Sequence, residues 1–437
     1  MDAFREIIGC AVVKEELRRI LDMLEYPDKY SAIGAEIPHG LLLYGPPGVG
    51  KTMIAEAFIR ASGLKCVRLN RVGDNSVFLS MILSGFRQAA EAAAADGYSI
   101  IFMDDLDSFP DESDSMDEYA AVQSGIDSVR DEGVFVIAAA NDISDMPDSL
   151  IRAGRFDMKY RLEIPYGKDA EEVILQHLKK YRLNAEVCKT DIVRLFTGIS
   201  CAEISTVMNR AAVIAAYRGA AEIGTDHITE AALTGIFGAL PEAVCPEIPG
   251  DAHDARRKRI AYHEAGHALI SEVLAPGSVC LLSLRRREGC GDAGLMGVSP
   301  DPERRDIHAL TALGGYAAEL QVFGDTGRGS ASDIEEAAKH ISADIRKEGI
   351  TGLGHVDIHR KYEEVSPEYL YSQELYISFM LNEKLQEACR IISENRAFLD
   401  RLAGKLTSRG SLLSSDIKEC AGTGSRNCSI FNNCITT

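Results

Sequence analysis

The sequence predicts an α/β domain with a parallel sheet and flanking helices, then a small all-helical unit, then a mostly α-helical domain. Three observations carry this expectation. Short continuous apolar runs alternate with helical patterns as far as about Lys168, where the strand-like runs stop. An irregular stretch with three prolines, "GALPEAVCPEIPGDAHD", then interrupts the helical periodicity.

The apolar runs are "GLLLY" (40–44), "IIFMDD" (100–105) and "VFVIAAAN" (134–141). They are continuous rather than alternating, as in strands covered on both faces. "KTMIAEAFIRA" and "SGFRQAAEAAAA" lie between them with helical spacing and serve as crossovers. This sets a first domain at 1–167. "EEVILQHLKKY" and "AEISTVMNRAAVIAAYRGAA" then read as helices, closing an all-helical unit at 168–238. The proline-bearing stretch marks a linker at 239–258. Helical patterns fill 259–420, and the polar "AGTGSRNCSIFNNCITT" makes 421–437 a flexible tail. There is no internal repeat and no low-complexity segment.

The chain's 437 residues exceed one ordinary core, so two or three domains are expected. Its 46% hydrophobic and 26% charged residues are those of a globular protein. No apolar run approaches the ~20 residues of a membrane helix, and "MDAFREIIGC" lacks the basic start and apolar core of a secretory signal. A soluble, cytoplasmic protein is expected. A net charge of -19 argues against a nucleic-acid partner. The basic runs Arg256-Arg257-Lys258-Arg259 and Arg285-Arg286-Arg287 have no interleaved aromatics and read as solvated surface. The 11 cysteines are scattered with no CxxC pair, which fits reduced thiols better than disulfides.

"GPPGVGKT" (45–52) fits GxxxxGK[ST], follows an apolar strand and opens a helix. The loop Gly45, Pro46, Pro47, Gly48, Val49 and Gly50 would wrap phosphates, its glycines letting the N–H groups of the non-proline residues turn inward, aided by the positive end of the following helix. Lys51 would reach the β- and γ-phosphates of ATP, and Thr52 would hold Mg²⁺. The metal also needs a carboxylate-tipped strand. "IIFMDD" supplies Asp104 on the metal side and Asp105 as base for the attacking water. Asn141, ending the third run, would orient that water.

These segments, with "VIAAANDISDMPDSLIRAGRFD", resemble the two Walker motifs and second region of homology of the AAA ATPases. The resemblance implies that Arg152 and Arg155 reach the nucleotide of a neighbouring subunit, and therefore an oligomeric ring.

"AYHEAGHALI" (261–270) contains a His-Glu-x-x-His. Two histidines four apart lie on one helix face, so His263 and His267 can bind one Zn²⁺. Glu264 then stands beside the open metal position, placed to take a proton from water. The apolar surroundings would equally suit two buried structural histidines. The metzincin form is excluded, since Ile270 and Val273 stand where it needs glycine and histidine. For the third ligand the residues alone leave Asp333, Glu272, Glu319 and Asp325 open. Asp333 is locally explicable without metal, as a first-turn residue beside a capping box of Ser332 and Glu335.

"AYHEAGHAL", "LGGYAAELQVFG" (313–324) and "GRGSASDIEEAAKHI" (327–341) resemble the peptidase domain of FtsH-type ATP-dependent zinc proteases, over about Ile8 to Glu419 with the ATPase upstream. The resemblance implies that Asp333 is the third zinc ligand, that 168–238 is the ATPase lid, and that "GLMGVSP" (294–300) is an edge strand where substrate adds by backbone pairing. It implies an ATP-dependent zinc endopeptidase that unfolds and degrades proteins in a homo-oligomeric ring, a hexamer. The chain departs from the family in three places. The ATPase starts almost at Met1, where the family usually has membrane-spanning helices, so no membrane anchoring is expected of this chain. Asp105 stands where glutamate is usual, and a ~1 Å misplacement of water costs on the order of a hundredfold in rate. Arg71 stands where an aromatic threading residue is expected, with Phe78, which reads as core, the nearest substitute. The acidic "DSFPDESDSMDEY" after the second Walker motif reads as a solvated loop. Two other functions remain open at this level: a nucleotide-binding chaperone or regulator with weak hydrolysis and a vestigial peptidase, and a zinc peptidase indifferent to ATP.

Overall fold

A computed structural model describes residues 3–422 except for 72–74, 111–116, 145, 153, 241–250, 288–293, 299–306, 328–329 and 346–366. Residues 111–116 of the acidic stretch and 423–437 of the tail lie outside the described residues; in the rest of the acidic stretch Phe109, Glu118 and Tyr119 are buried, so it is not simply a solvated loop. The chain divides into two units, 1–180 with 198–205, and 181–197 with 206–437.

The first unit carries five parallel strands: β1 (Gly40–Tyr44), β2 (Lys65–Leu69), β3 (Ser99–Met103), β4 (Val134–Ala140) and β5 (Met158–Arg161). Their order is β2-β3-β4-β1-β5. The three apolar runs are the central strands, buried on both faces as their composition requires. Leu42, Ile101, Met103, Val136 and Ala138 join one core with Phe78, Phe86 and Ile126. Leu41, Leu43, Ile100, Phe102 and Ile137 join the other with Leu17, Ile54 and Phe58. Of the edge strands, β2 (KCVRL) is mostly exposed or half-buried and β5 (MKYR) alternates between half-buried and exposed, so no apolar run announces them.

The segment expected as the lid is helical, with helices Gly167–Leu178, Lys189–Phe196, Cys201–Tyr217 and Thr225–Gly235.

In the second unit the helix Asp251–Leu274 is central, and reaches back into the stretch expected as linker. It packs on the helices Gly314–Phe323 and Arg396–Arg409, and its buried residues Ala261, Ala265, Leu269 and Ile270 form one core with Leu313, Ala317, Leu399 and Leu402. Gly266 and Gly314 meet where the first two helices cross. A Cβ on either would run into the other's backbone, so only glycine permits this approach. A sheet of order β7-β6-β8 flanks the helices: β6 (Val279–Ser283), β7 (Leu295–Val298) and β8 (Ser411–Leu413), all antiparallel. The stretch "GLMGVSP" thus contains an edge strand. Among the described residues, no helix is long and apolar enough to cross a membrane.

Candidate nucleotide and metal sites

The phosphate loop joins β1 to the helix Lys51–Ser62, and its glycines adopt conformations that side chains rarely take: φ is 139° at Gly45, 76° at Gly48 and 100° at Gly50. A Cβ at Gly48 would stand 2.9 Å from Ser200 Oγ and from Ala202 Cβ, so the start of the helix Cys201–Tyr217 covers the loop. The Lys51 ammonium is buried and donates to Gly45 O (2.8 Å), Pro46 O (2.9 Å) and Asn141 Oδ1 (2.8 Å). Burial lowers its pKa, against the opposing pull of Asp105, Asp107 and Asp104.

The three strand-end residues read from sequence come together beside this lysine. Thr52 Oγ1 donates to Asp104 Oδ1 at 3.2 Å, the pair expected to share Mg²⁺. Burial raises the Asp104 pKa, a cost that a bound cation would remove. Asn141 Nδ2 donates to Asp105 Oδ1 at 3.4 Å. Asp105 itself is left-handed (φ 50°), one of two non-glycine residues with positive φ among those described. Such strain concentrates at functional positions, and aspartate tolerates it better than most residues.

The arginines behave differently from one another. Arg152 is exposed. Arg155 is buried and engaged within its own chain: Nε and Nη2 meet the Asp127 carboxylate at 3.0 and 2.7 Å, and Nη1 donates to Ser149 O. Arg155 therefore presents no free guanidinium here. Arg71 is also turned inward, donating to Phe109 O beside the buried Glu118 and stacking over Phe78. Phe78 is fully buried, an ordinary core residue.

At the second site, His263 Nε2, His267 Nε2 and Asp333 Oδ2 form a triangle with edges of 3.2, 3.3 and 3.6 Å. Among the described residues they are the one cluster suited to a metal ion. Ligands about 2.0–2.1 Å from a tetrahedral zinc stand roughly 3.3 Å apart, so the triangle has the size of a zinc face. The protonation pattern agrees. His263 Nδ1 lies 2.8 Å from Glu319 Oε1 and His267 Nδ1 2.7 Å from Thr311 O. Both partners accept, and Thr311 O lies closer to His267 Nδ1 than the Gly315 N–H at 3.3 Å, so both Nδ1 atoms carry the proton and both Nε2 lone pairs face one point. Asp333 Oδ2 faces it too, buried and, among the described residues, without a hydrogen-bond donor. Three acceptors converging with no proton among them fit a cation.

Gly315 makes room for the triangle. A Cβ there would stand 2.5 Å from His267 Nε2 and 2.7 Å from His263 Nε2. Glu264 is buried, and burial pushes its carboxyl up to about 7, with His267 pulling down, Asp333 pushing up, and the Gly294 N–H and Arg287 lowering it. A carboxylate near neutrality suits a general base.

The other acids have structural work. Glu272 accepts from Gly277 N and Val279 N. Glu319 orients His263 while bound by Arg259 and Gly327 N, and Asp325 pairs with Arg259. Glu319 was legible as an acid near the site, but its role beside a ligand needed the fold. Two expectations are corrected. The helix bearing Asp333 runs Ser330–Ala343, so Ser332 lies inside it and does not cap it; Asp333 does sit in the first turn. The first basic run is not simply solvated, since Arg257 binds Thr407 O and Arg259 holds Glu319.

This fold and these sites define an AAA-type ATPase domain followed by a zinc metallopeptidase domain. The family "ATPase family associated with various cellular activities (AAA)" matches residues 41–164 and "Peptidase family M41" matches 252–420. The chain is 28% identical over 447 residues to the ATP-dependent zinc metalloprotease FtsH of Karelsulcia muelleri, covering 94% of this chain and 70% of that one. It is 30% identical over 371 residues to the protein of that name from Ureaplasma parvum (80% and 50% covered), and 29% over 443 to that from Mycoplasma pneumoniae (95% and 61%). The chain thus carries an AAA domain followed by a Peptidase family M41 domain, is similar across most of its length to FtsH-named proteases, and spans between half and about seven-tenths of the length of these relatives.

Proposed function

We propose that the chain is an ATP-dependent zinc endopeptidase that unfolds and degrades protein chains as a cytoplasmic homo-oligomeric ring, a hexamer. The observation that carries the reading is the convergence of His263, His267 and Asp333 on one point beside the buried Glu264. Zinc, when bound there, supplies an acidified water and polarises the peptide carbonyl. Glu264 accepts the proton of the attacking water and passes it to the leaving amine. β7 offers an unpaired edge on which an extended substrate adds by backbone hydrogen bonds.

In the ATPase, binding of phosphate draws Lys51 off its own loop carbonyls. Thr52 and Asp104 hold Mg²⁺ with the nucleotide, Asp105 takes the proton of the attacking water, and Asn141 orients it. Arg152 serves the neighbouring subunit's nucleotide, with Arg155 bracing the same turn against Asp127. The domains run 1–167, the lid 168–238 and the peptidase 259–420. Free thiols at Cys10, Cys66 and Cys201 support a reducing compartment.

The test is loss of casein with ATP, with a non-hydrolysable analogue and without nucleotide, using Glu264→Gln as control. Cleavage only with hydrolysable ATP, lost in the variant, is expected. Survival of casein in zinc-loaded enzyme under every condition would sink the reading.

A further inference from the structure

Residues 237–240 follow the last lid helix, and the reaction proposed above gives them no task. Yet they grip both stems of the β6–β7 hairpin. Leu240 N donates to Arg286 O at 2.8 Å, and Ala239 pairs with Arg287 in an antiparallel bridge. These contacts hold the chain as it leaves β6. On the returning strand, Gly297 of β7 lies under the Phe237 ring: a Cβ at Gly297 would stand 2.6 Å from both Cε1 and Cζ of Phe237. Gly297 pairs with Leu281, fixing β7 against β6 at that point.

The hairpin borders the catalytic carboxylate. A Cβ at Gly294, one residue before β7, would stand 2.8 Å from Glu264 Cγ, and the Gly294 N–H bonds to Glu264. Two residues, Leu295 and Met296, separate this contact from the one under Phe237. Among the described residues β7 is four residues long and paired on one side alone, so its own ladder holds it weakly. A ring pressed on its one glycine, with a backbone tie on the opposite stem, supplies what the ladder lacks.

We propose that Phe237 is a positioning residue for peptide cleavage: the end of the lid segment clamps the β6–β7 hairpin and holds edge strand β7 in register beside Glu264. The inference rests on the peptidase reading for its effect on cleavage, and on the structure alone for its effect on β7. It makes a residue outside the peptidase family match, which begins at residue 252, part of that domain's substrate edge.

The experiment uses the full chain loaded with zinc. Amide exchange at Leu295–Val298 is read together with cleavage of a short fluorogenic peptide, for the parent protein, Phe237→Ala and Phe237→Leu. Exchange of β7 speeds by about tenfold in Phe237→Ala, and the KM for peptide rises by about tenfold, the worth of one backbone hydrogen bond. Zinc stoichiometry and exchange in the helix Asp251–Leu274 stay as they were, and Phe237→Leu restores most of both effects. Should Phe237→Ala fail to fold, Gly297→Ala, which drives a methyl into the ring, is read in the parent and Phe237→Leu backgrounds. Its effect on β7 exchange is smaller where leucine replaces the ring. Unchanged β7 exchange and KM in Phe237→Ala, or equal effects of Gly297→Ala in both backgrounds, would overturn the proposal. Faster β7 exchange in a protein whose parent form cleaves no peptide would uphold the clamp and count against the peptidase reading instead.

Discussion

Glu319 Oε1 lies 2.8 Å from His263 Nδ1, on the side of the ring away from the Asp333 carboxylate. Burial pushes the Glu319 pKa up, but the bonds from His263 and Gly327 N and the charge of Arg259 bring it below the usual carboxylate value. The ionised acid thus fixes the His263 tautomer and makes Nε2 a better donor to a metal. Glu319→Gln keeps the shape and removes the charge, so zinc affinity falls about 10–100-fold. Chelator competition measures this; unchanged affinity would make Glu319 merely a partner for Arg259.

Gly315 is the second support of that triangle. In Gly315→Ala the new methyl stands within 2.7 Å of both Nε2 atoms and of His263 Cε1, so the imidazoles must turn away. Overpacking of this kind costs about 1–3 kcal/mol. Zinc stoichiometry of the purified variant is expected to fall far below one while the ATPase domain still binds nucleotide. Full zinc occupancy would show that the helix Gly314–Phe323 yields more easily than its glycine crossing implies.

Asp105 joins an unusual backbone to the base role. Asp105→Asn preserves the left-handed conformation, which asparagine accepts, and removes the base. ATP turnover should drop on the order of a hundredfold or more with nucleotide affinity retained. Steady-state hydrolysis beside binding of a fluorescent nucleotide separates the two. Turnover near the parent value would move the base to another carboxylate.

Asp191 carries the junction between the helix Lys189–Phe196 and the helix Ser414–Ala421. It is buried, and its two oxygens accept from Ser415 N (2.9 Å) and Ser415 Oγ (2.6 Å), while Arg194 bonds to Ser414 Oγ. A carboxylate at the N-terminus of a helix from distant sequence acts as its cap. Asp191→Ala should cost about 0.5–2 kcal/mol, lowering the second unit's melting temperature by about 2–4 °C per kcal/mol in calorimetry. A transition that does not move would mean the two helices melt independently.

What the sequence reveals follows from where its signals are local. β1, β3 and β4 are buried on both faces, so they read as apolar runs; β2 is mostly exposed or half-buried and β5 alternates, so neither forms such a run. β6 is a fully apolar run too, but "VCLLS" is short and sits among helices, and β8 is three residues long. The phosphate loop and the histidine pair are compact motifs whose spacing states their geometry. Asp333 is distant by sequence, and only the family resemblance selected it over Glu272, Glu319 and Asp325. The inward turn of Arg155 depends on Asp127, and that of Arg71 on Phe109 and Glu118; no periodicity reports such pairings.

Arg71 stands where related chains are expected to carry a threading aromatic, and the structure gives it a different task. Its guanidinium donates to Phe109 O, lies 4.0 Å from Glu118 Oε1 and covers the ring of Phe78. Glu118 is 1% exposed, and among the described residues neither of its carboxylate oxygens has a hydrogen-bond donor, while Arg71 is the cation that pairs with it. Arg71→Phe, which restores the aromatic, therefore leaves a buried carboxylate alone and should destabilise the ATPase domain by about 1–3 kcal/mol. The same substitution in a Glu118→Gln background should cost markedly less, because the stranded charge is gone. Denaturant unfolding of the four proteins gives the coupling directly. Equal losses in both backgrounds would mean that Arg71 does not neutralise Glu118, and the position would again be open to a role in gripping substrate.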